Sequence, residues 1–442
     1  MGNKKSFYNV EIKTLENGDV LLFNTLTTSF GLMDKKTQDI YYGLDSVNTG
    51  SVPDEEDLRN LETLKTNGFV VDSELNEGKM LDLLSRSARY DLKNLDLTVA
   101  PTLDCNMACP YCYEDKSSKK RMSEKTGMQL IEFIKRKIST DRINKLTVTW
   151  YGGEPLLELE TIQKLSGEII NLCNENRIKY QARIVTNGAL LNRETAAVLR
   201  ENCAVYVAQV TIDGLKDKHN RRRRLNNNDD SFKLITDNID AVKDIINIGI
   251  RINLDRSNIE EAEKLIDYFI DEKKWGDRVS IHFAPVEDKD GTCSMTQGSC
   301  YTLKEFGEID SKLLRRIYSK GNYRLIDSKY PKFKPACCGA IAANSFVVGP
   351  DGYLYKCWNV IGNKKRVVGT LTEGEMLNSE NIDWMTLDLP EDCTSCNLLP
   401  ICQGGCPYNR IVNGNQPSCC HETVSFKENL NITYEEFIKN RA

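Results

Sequence analysis

Residues 95–113 read Leu95-Asp-Leu-Thr-Val-Ala-Pro-Thr-Leu103-Asp-Cys105-Asn-Met-Ala-Cys109-Pro-Tyr111-Cys112-Tyr113. The apolar run Leu95–Leu103 has the length and bias of a buried strand, and three cysteines spaced C-x3-C-x2-C follow it directly. Three thiolates can hold three irons of a [4Fe–4S] cube and leave the fourth iron without a protein ligand. Electron-carrying cubes use four cysteines. A cube with one open iron can bind a small molecule and act on it. Zinc sites usually show two separate C-x2-C pairs or added histidines, and the chain has only three histidines, none of them nearby.

Working outward, 442 residues are too many for one ordinary core, so two or three domains are expected. Hydrophobic residues at 40% and charged residues at 28% indicate a globular chain. No apolar run approaches the roughly 18 residues of a membrane span. Met1-Gly-Asn-Lys-Lys-Ser6 is not followed by the apolar stretch of a secretory signal. With 16 cysteines and no export signal, a cytoplasmic protein whose thiols bind metal is expected, rather than a disulfide framework. A net charge of −5 argues against a nucleic-acid partner. The run Arg221–Arg224 reads first as a solvated loop, and second as an anchor for acidic groups.

Residues 1–90 read as a separate module. Tyr8–Thr14 and Asp19–Asn24 alternate as strands around Asn17-Gly18, a type I′ hairpin signal. Leu58, Leu61 and Leu64 mark a helical face stopped by Gly68, Phe69–Val71 a short strand, and Met80–Ser87 a second helix. Residues 91–285 alternate instead. Strands are expected at Leu95–Leu103, Leu146–Trp150, Ala182–Thr186, Val205–Ile212, Ile248–Leu254 and Val279–Phe283. Helices are expected between them at Ser123–Ile138, Leu159–Asn176, Arg193–Arg200, Phe232–Ile246 and Ile259–Lys274. Six strands joined by five helices imply an α/β fold with a parallel sheet, whose chemistry sits at the C-terminal strand ends. Cys105, Gly152-Gly153-Glu154, Thr186-Asn187 and Asp213 each follow one of these strands and would meet on one rim.

The cysteine triplet with its aromatic before the last cysteine, followed one unit later by Gly-Gly-Glu, resembles the signature of the radical S-adenosylmethionine (radical SAM) enzymes. The resemblance implies a partial (β/α)6 radical SAM barrel in which Cys105, Cys109 and Cys112 carry the cluster that binds SAM. It also implies cofactor contacts for Gly152, Gly153 and Glu154 at the methionine amine and for Thr186 and Asn187 at the ribose. Asp213 would bond a ribose hydroxyl or shape its loop, and His219 and Arg224 follow a family pattern only loosely. The layout of residues 1–90 resembles winged-helix-like peptide-recognition domains of enzymes that modify ribosomal peptides; a capping domain without a ligand is the other reading.

Residues 286–442 hold a second cysteine constellation. It reads Cys338-x13-Gly352-x4-Cys357, then Cys393-x2-Cys396-x5-Cys402-x3-Cys406, then Cys419-Cys420. By chemistry alone two four-thiolate zinc sites would serve too. The spacings resemble the SPASM domain, a loop-rich Fe–S C-terminal domain with two auxiliary [4Fe–4S] clusters, which makes three clusters in all. By that resemblance Cys393, Cys396, Cys402 and Cys420 hold one auxiliary cluster. Cys338, Cys357 and Cys406 hold the other, whose fourth ligand is Cys293, Cys300, Cys337 or none. Cys173 and Cys203 read as core thiols.

Chains of this build modify peptides. The resemblance implies a maturase that takes a hydrogen from a substrate carbon with a 5′-deoxyadenosyl radical and joins a cysteine sulfur of the same peptide to that carbon. Its partners would be a precursor peptide with a leader and a low-potential electron donor such as flavodoxin or ferredoxin. Carbon–carbon crosslinking is one alternative and a non-enzymatic Fe–S carrier another. Sulfatase maturation to formylglycine is a third, but that group has an Asp directly after the cysteine of Gly-x4-Cys, where this chain has Trp358.

Overall fold

The computed structural model describes residues 2–44, 54–112, 114, 119–275, 278–287, 300–321 and 330–440. The chain divides into two compact units: Met1–Arg89 with Ser328–Cys338 and Leu387–Ala442, and Tyr90–Asp327 with Gly339–Thr386. This differs from a division into three consecutive domains, and the packing within each unit gives the reason.

In the first unit, β1 (Asn3–Lys5) pairs antiparallel with β5 (Val70–Asp72). A three-stranded antiparallel sheet is formed by β2 (Asn9–Thr14), β3 (Val20–Asn24) and β4 (Phe30–Met33), with β3 central. Helices Lys35–Gly43, Glu55–Thr66 and Glu77–Arg89 complete this part. Val20, Leu22, Met33, Tyr41, Leu64, Phe69 and Val70 form one core cluster. The hairpin turn is not type I′. That turn needs φ > 0 at both central residues, whereas Gly18 is at +86° and Asn17 is not left-handed; Leu15 N–H donates to Asp19 O at 2.8 Å, closing a longer loop. Val10 and Phe23 pack with Ile401, Phe426 and Leu430, and Tyr8 and Leu81 with Cys393 and Leu399. The two ends of the chain thus share one apolar interior.

In the second unit, β6 (Asn94–Thr102), β7 (Lys145–Gly152), β8 (Lys179–Thr186), β9 (Val205–Thr211), β10 (Asn247–Leu254) and β11 (Val279–Pro285) lie side by side in chain order. Every neighbouring pair among the six is parallel. Helices Glu124–Asp141, Leu159–Glu175, Arg193–Asn202, Ser231–Val242 and Ile259–Asp267 fill the crossovers. Leu95, Leu97 and Val99 of β6 are buried, as parallel strands covered by helices require. Ser123, Asn192 and Asp230 cap three of the helices by accepting backbone N–H bonds. The helix expected to reach Lys274 instead loosens into a π turn at Tyr268–Glu272, followed by Trp275, whose indole donates to Asp240 at 2.7 Å.

The sheet does not end at β6. β12 (Ser345–Val348) adds to it in parallel, and β13 (Tyr353–Tyr355), β14 (Gly369–Thr370) and β15 (Gly374–Glu375) continue antiparallel. Phe346, Val347 and Val348 are buried, so the apolar run of β12 covers an edge the barrel would otherwise expose.

Candidate functional site

The loop after β6 carries Cys105, Cys109 and Cys112, with Cys109 buried and the other two half-buried; Cys109 acts electrostatically on both of the others, though among the described residues no group of three or more His, Cys, Asp or Glu is placed to hold a metal ion. Its backbone is held as if in a short ladder. Met107 bridges Leu225, Ala108 N–H donates to Arg224 O at 2.8 Å, and Asn226 N–H donates to Asn106 O at 3.0 Å. Within the loop, Met107 N–H donates to Cys105 Sγ at 3.4 Å.

The glycines after β7 have a steric reason to be glycine. A side chain on Gly152 would stand 2.2 Å from Thr102 O, at φ +120°, and one on Gly153 would stand 2.3 Å from Asp104 O. The turn therefore presses against the root of the cysteine loop, where Glu154 N–H donates to Asp104 O at 2.8 Å. Glu154 is fully buried. Its carboxylate accepts from Thr186 Oγ1 at 2.7 Å, Asn187 N–H at 2.7 Å and Leu156 N–H at 3.0 Å. Burial pushes this carboxyl up, and the three donors oppose that. Asn187 Nδ2 in turn donates to Asn106 at 2.6 Å and lies 3.9 Å from Cys105 Sγ. Glu154, Thr186 and Asn187 thus tie the ends of β7 and β8 to the cysteine loop.

Asp213 is also fully buried, beneath Tyr111 of the cysteine motif. It accepts from the Tyr111 hydroxyl and from Asn253 N–H at 2.9 Å, and Arg223 donates to the same Tyr111 oxygen at 2.7 Å. The arginine run is therefore only half solvated: Arg221 and Arg224 are exposed, while Arg222 and Arg223 are buried. Arg222 pairs with Asp255 at 2.8 Å. Arg222 ends the helix Lys216–Arg222 and Arg223 is its C-cap residue. His219 is fully buried; its Nδ1 accepts from Asp213 N–H at 3.3 Å, and burial pushes the imidazole well below its usual range. Tyr151 and Trp358, which sequence reasoning did not join, stack with ring centroids 5.4 Å apart.

These residues fit a thiolate-ligated cluster. Burial pushes Cys105 up to about 12 and Cys112 up to about 11, so these two thiols favour the protonated form. Iron would have to draw the protons off, which is the usual coupling of metal binding to proton release. Arg223, charged and buried, opposes that upward push at Cys105 and Cys112 and interacts with Cys109 as well.

The first unit holds Cys393, Cys396, Cys402, Cys419 and Cys420. Cys393 and Cys402 are buried, Cys396 and Cys420 half-buried, and Cys419 exposed. Donors from Cys420 pull the Cys402 thiol down to about 6 against its burial. Gly404 and Gly405 are at φ +77° and +78°, and Gly405 pairs with Ser418, which sets the Cys419-Cys420 segment against the Cys402 turn. Arg410, 1% exposed, donates to the Gln403 and Asp388 carbonyls and bears on Cys337, Cys393 and Cys402. Cys338 and Cys406 lie in this unit and Cys357 in the other; Cys293 lies outside the described residues. Cys173 and Cys203 are buried, and burial pushes both thiols up.

Residues 99–269 match the family model described as the Radical SAM superfamily. A cysteine-type anaerobic sulfatase-maturating enzyme of Clostridium novyi is 23% identical over 366 residues, 76% of this chain and 95% of that protein. The solved structure of native anSMEcpe with bound AdoMet aligns with 78% of this chain and 98% of its own at 20% identity and a TM-score of 0.60. Streptococcus suis SuiB bound to precursor peptide SuiA aligns with 96% of this chain and 99% of its own at 15% identity and a TM-score of 0.54. Residues 99–269 thus carry a radical SAM match on an α/β fold with a mostly parallel sheet, and the chain is an enzyme that modifies a substrate. Among the described residues no helix is long and apolar enough to cross a membrane.

Proposed function

We propose that this enzyme is a peptide maturase that forms a thioether crosslink in a ribosomally made precursor. The loop of three thiols at the strand ends carries the enzyme class. Cys105, Cys109 and Cys112 would hold the SAM-binding cluster, with Gly152, Gly153, Glu154, Thr186, Asn187 and Asp213 shaping the cofactor's seat. When bound and reduced, SAM supplies the radical that removes one hydrogen atom from the substrate carbon. Over the whole reaction the peptide loses two hydrogens, one from carbon and one from the thiol, and gains one carbon–sulfur bond. Of the two electrons given up, one would go with the hydrogen atom to the deoxyadenosyl fragment of SAM, and an auxiliary cluster would take up the other. Glu154 keeps the cysteine loop fixed to β7 and β8, and Arg223 with Asp213 holds Tyr111 in place.

Two auxiliary clusters in the C-terminal cysteine region, one of them on Cys393, Cys396, Cys402 and Cys420, belong to the same proposal. So does recognition of a leader peptide by residues 1–90. Because β3 is paired on both sides, an added strand would use β2 or β4. The likeness to SuiB, described with a bound precursor peptide, supports that assignment. The likeness to sulfatase-maturating enzymes favours a second reading, formylglycine formation on a protein. Trp358, which cannot take a proton, counts against it.

Mass spectrometry of the precursor after reaction with reconstituted enzyme, SAM and a low-potential reductant separates the readings. A thioether removes two hydrogens and leaves the cysteine closed to alkylation. The same mass loss with an alkylatable cysteine indicates a carbon–carbon bond, and loss of the cysteine sulfur indicates formylglycine.

A further inference from the structure

Four tryptophans occur in the chain. Trp150, Trp275 and Trp384 are at most 1% exposed, whereas Trp358 is 45% exposed. Its position is specific. Trp358 follows Cys357 and opens a tight turn in which Val360 N–H donates to Cys357 O at 3.2 Å and Ile361 N–H to Trp358 O at 3.2 Å. One face of the indole lies on Tyr151, nearly parallel at 16°. Tyr151, half-buried, precedes the Gly152-Gly153 turn that presses on the cysteine loop, and its hydroxyl interacts electrostatically with Cys112 and Arg251. The stack therefore reaches from the root of the reactive loop to solvent. A large aromatic surface in that place, rigid and supported from behind, suits a substrate contact better than a core position.

We propose that Trp358, backed by Tyr151, is the substrate-positioning and specificity residue of this enzyme. Its open face receives an apolar side chain of the peptide next to the residue that reacts. The inference rests on the peptide-maturase reading. An indole face offers no charge and no strong hydrogen-bond acceptor, so aromatic and aliphatic side chains gain most by covering it, and aspartate or glycine gains little. A stack worth up to about 1.5 kcal/mol corresponds to roughly tenfold in affinity.

The test uses short cysteine-containing synthetic peptides that differ only beside the cysteine, with Phe, Leu, Gly or Asp there, and the iron-loaded full chain. Because the other three tryptophans are buried, acrylamide quenching of the native protein's emission reports on Trp358. The Phe and Leu peptides are expected to shield that emission and to bind Trp358→Ala roughly tenfold more weakly, with Trp358→Phe recovering most of the loss. The Gly and Asp peptides should bind all three proteins alike. Iron content and circular dichroism of the variants check that the fold is kept. Peptides that bind the native protein without shielding Trp358, or that bind Trp358→Ala equally well, overturn the inference and leave the maturase reading intact. No binding of any of the peptides also overturns the inference, which needs the indole face to hold the side chain without a leader, and leaves the maturase reading intact.

Discussion

Cys105–Cys112 and Cys393–Cys420 hold their thiols by different means. The first segment is a loop at the end of a nine-residue strand, braced by the eight-residue β7 and β8 on the same sheet. Its anchors are side chains and backbone of the barrel: Glu154, Asn187, Arg223 and the 224–226 backbone. The second segment has helices of only four, four and six residues, Glu391–Thr394, Leu399–Cys402 and Pro407–Val412. Between them the chain turns on glycines, and the buried charge of Arg410 sits among the sulfurs. The barrel builds its cysteine loop onto long regular strands. The C-terminal segment has little regular structure of its own, so its order would depend on the cluster proposed for it.

The comparison breaks first at the triplet itself. Changing Cys105, Cys109 and Cys112 together to Ala should reduce 5′-deoxyadenosine formation from SAM to background, because the three ligands proposed for the SAM cluster are gone. Iron in the C-terminal segment should remain, and the far-ultraviolet circular dichroism should not change. Chromatography of the nucleoside products and an iron assay decide it. Continued SAM cleavage sinks the assignment of the triplet, and loss of all iron shows that the two segments do not assemble independently.

A pair of glycines sharpens it. A Cβ on Gly405 would lie 1.5 Å from Ser418 O at a left-handed φ, and a Cβ on Gly153 would lie 2.3 Å from Asp104 O. Each alanine substitution forces backbone apart at a cost on the order of 3 kcal/mol. Gly405→Ala should lose iron from the C-terminal segment and keep SAM cleavage. Gly153→Ala should do the reverse. Iron analysis beside nucleoside assay reads both, and a variant that loses both functions would show that the two segments are coupled.

The barrel was legible in the sequence because each β/α unit is local. Apolar runs, caps and periodicity lie within about 30 residues of each other, and every barrel strand falls close to where its pattern puts it. The cysteine motifs stand out in the sequence because spacing alone carries them. Long-range pairings were not. Nothing near Phe346 announces that β12 joins β6, some 250 residues earlier, and nothing near Ile401 or Phe426 points to Val10 and Phe23. Charge runs misled for a related reason. Arg222 and Arg223 look solvated until Asp255, Tyr111 and Asp213 arrive from other segments. The turn at Gly18 was misread because a two-residue signal, Asn-Gly, sits in a longer loop.

The smallest effect concerns how far the barrel site is built in advance. Asp230 caps the helix Ser231–Val242 by accepting from Lys233 N–H at 3.0 Å. It also accepts from Asn220 Nδ2 at 2.9 Å and pairs with Lys216 at 2.9 Å, so it stitches the helix that carries Arg222 to its neighbour. Burial works against its charge, yet Lys216, the Lys233 amide and Asn220 outweigh it and hold the carboxyl at about 2. A carboxyl lowered on folding contributes stability that is complete above the unfolded value near 3.9 and is lost as pH falls through the folded value. Asp230→Ala should therefore cost about 1 kcal/mol at neutral pH in denaturant titrations, a gap that narrows below about pH 4. Asp230→Asn keeps a cap and should lose less than about 0.5 kcal/mol, because the ion pair it gives up is partly exposed. SAM cleavage should survive both changes, since the cysteine loop keeps its own anchors to Glu154 and Asn187. If Asp230→Ala costs as much as the glycine variants, the barrel region has no more regular structure in reserve than the C-terminal segment, and the contrast between them fails.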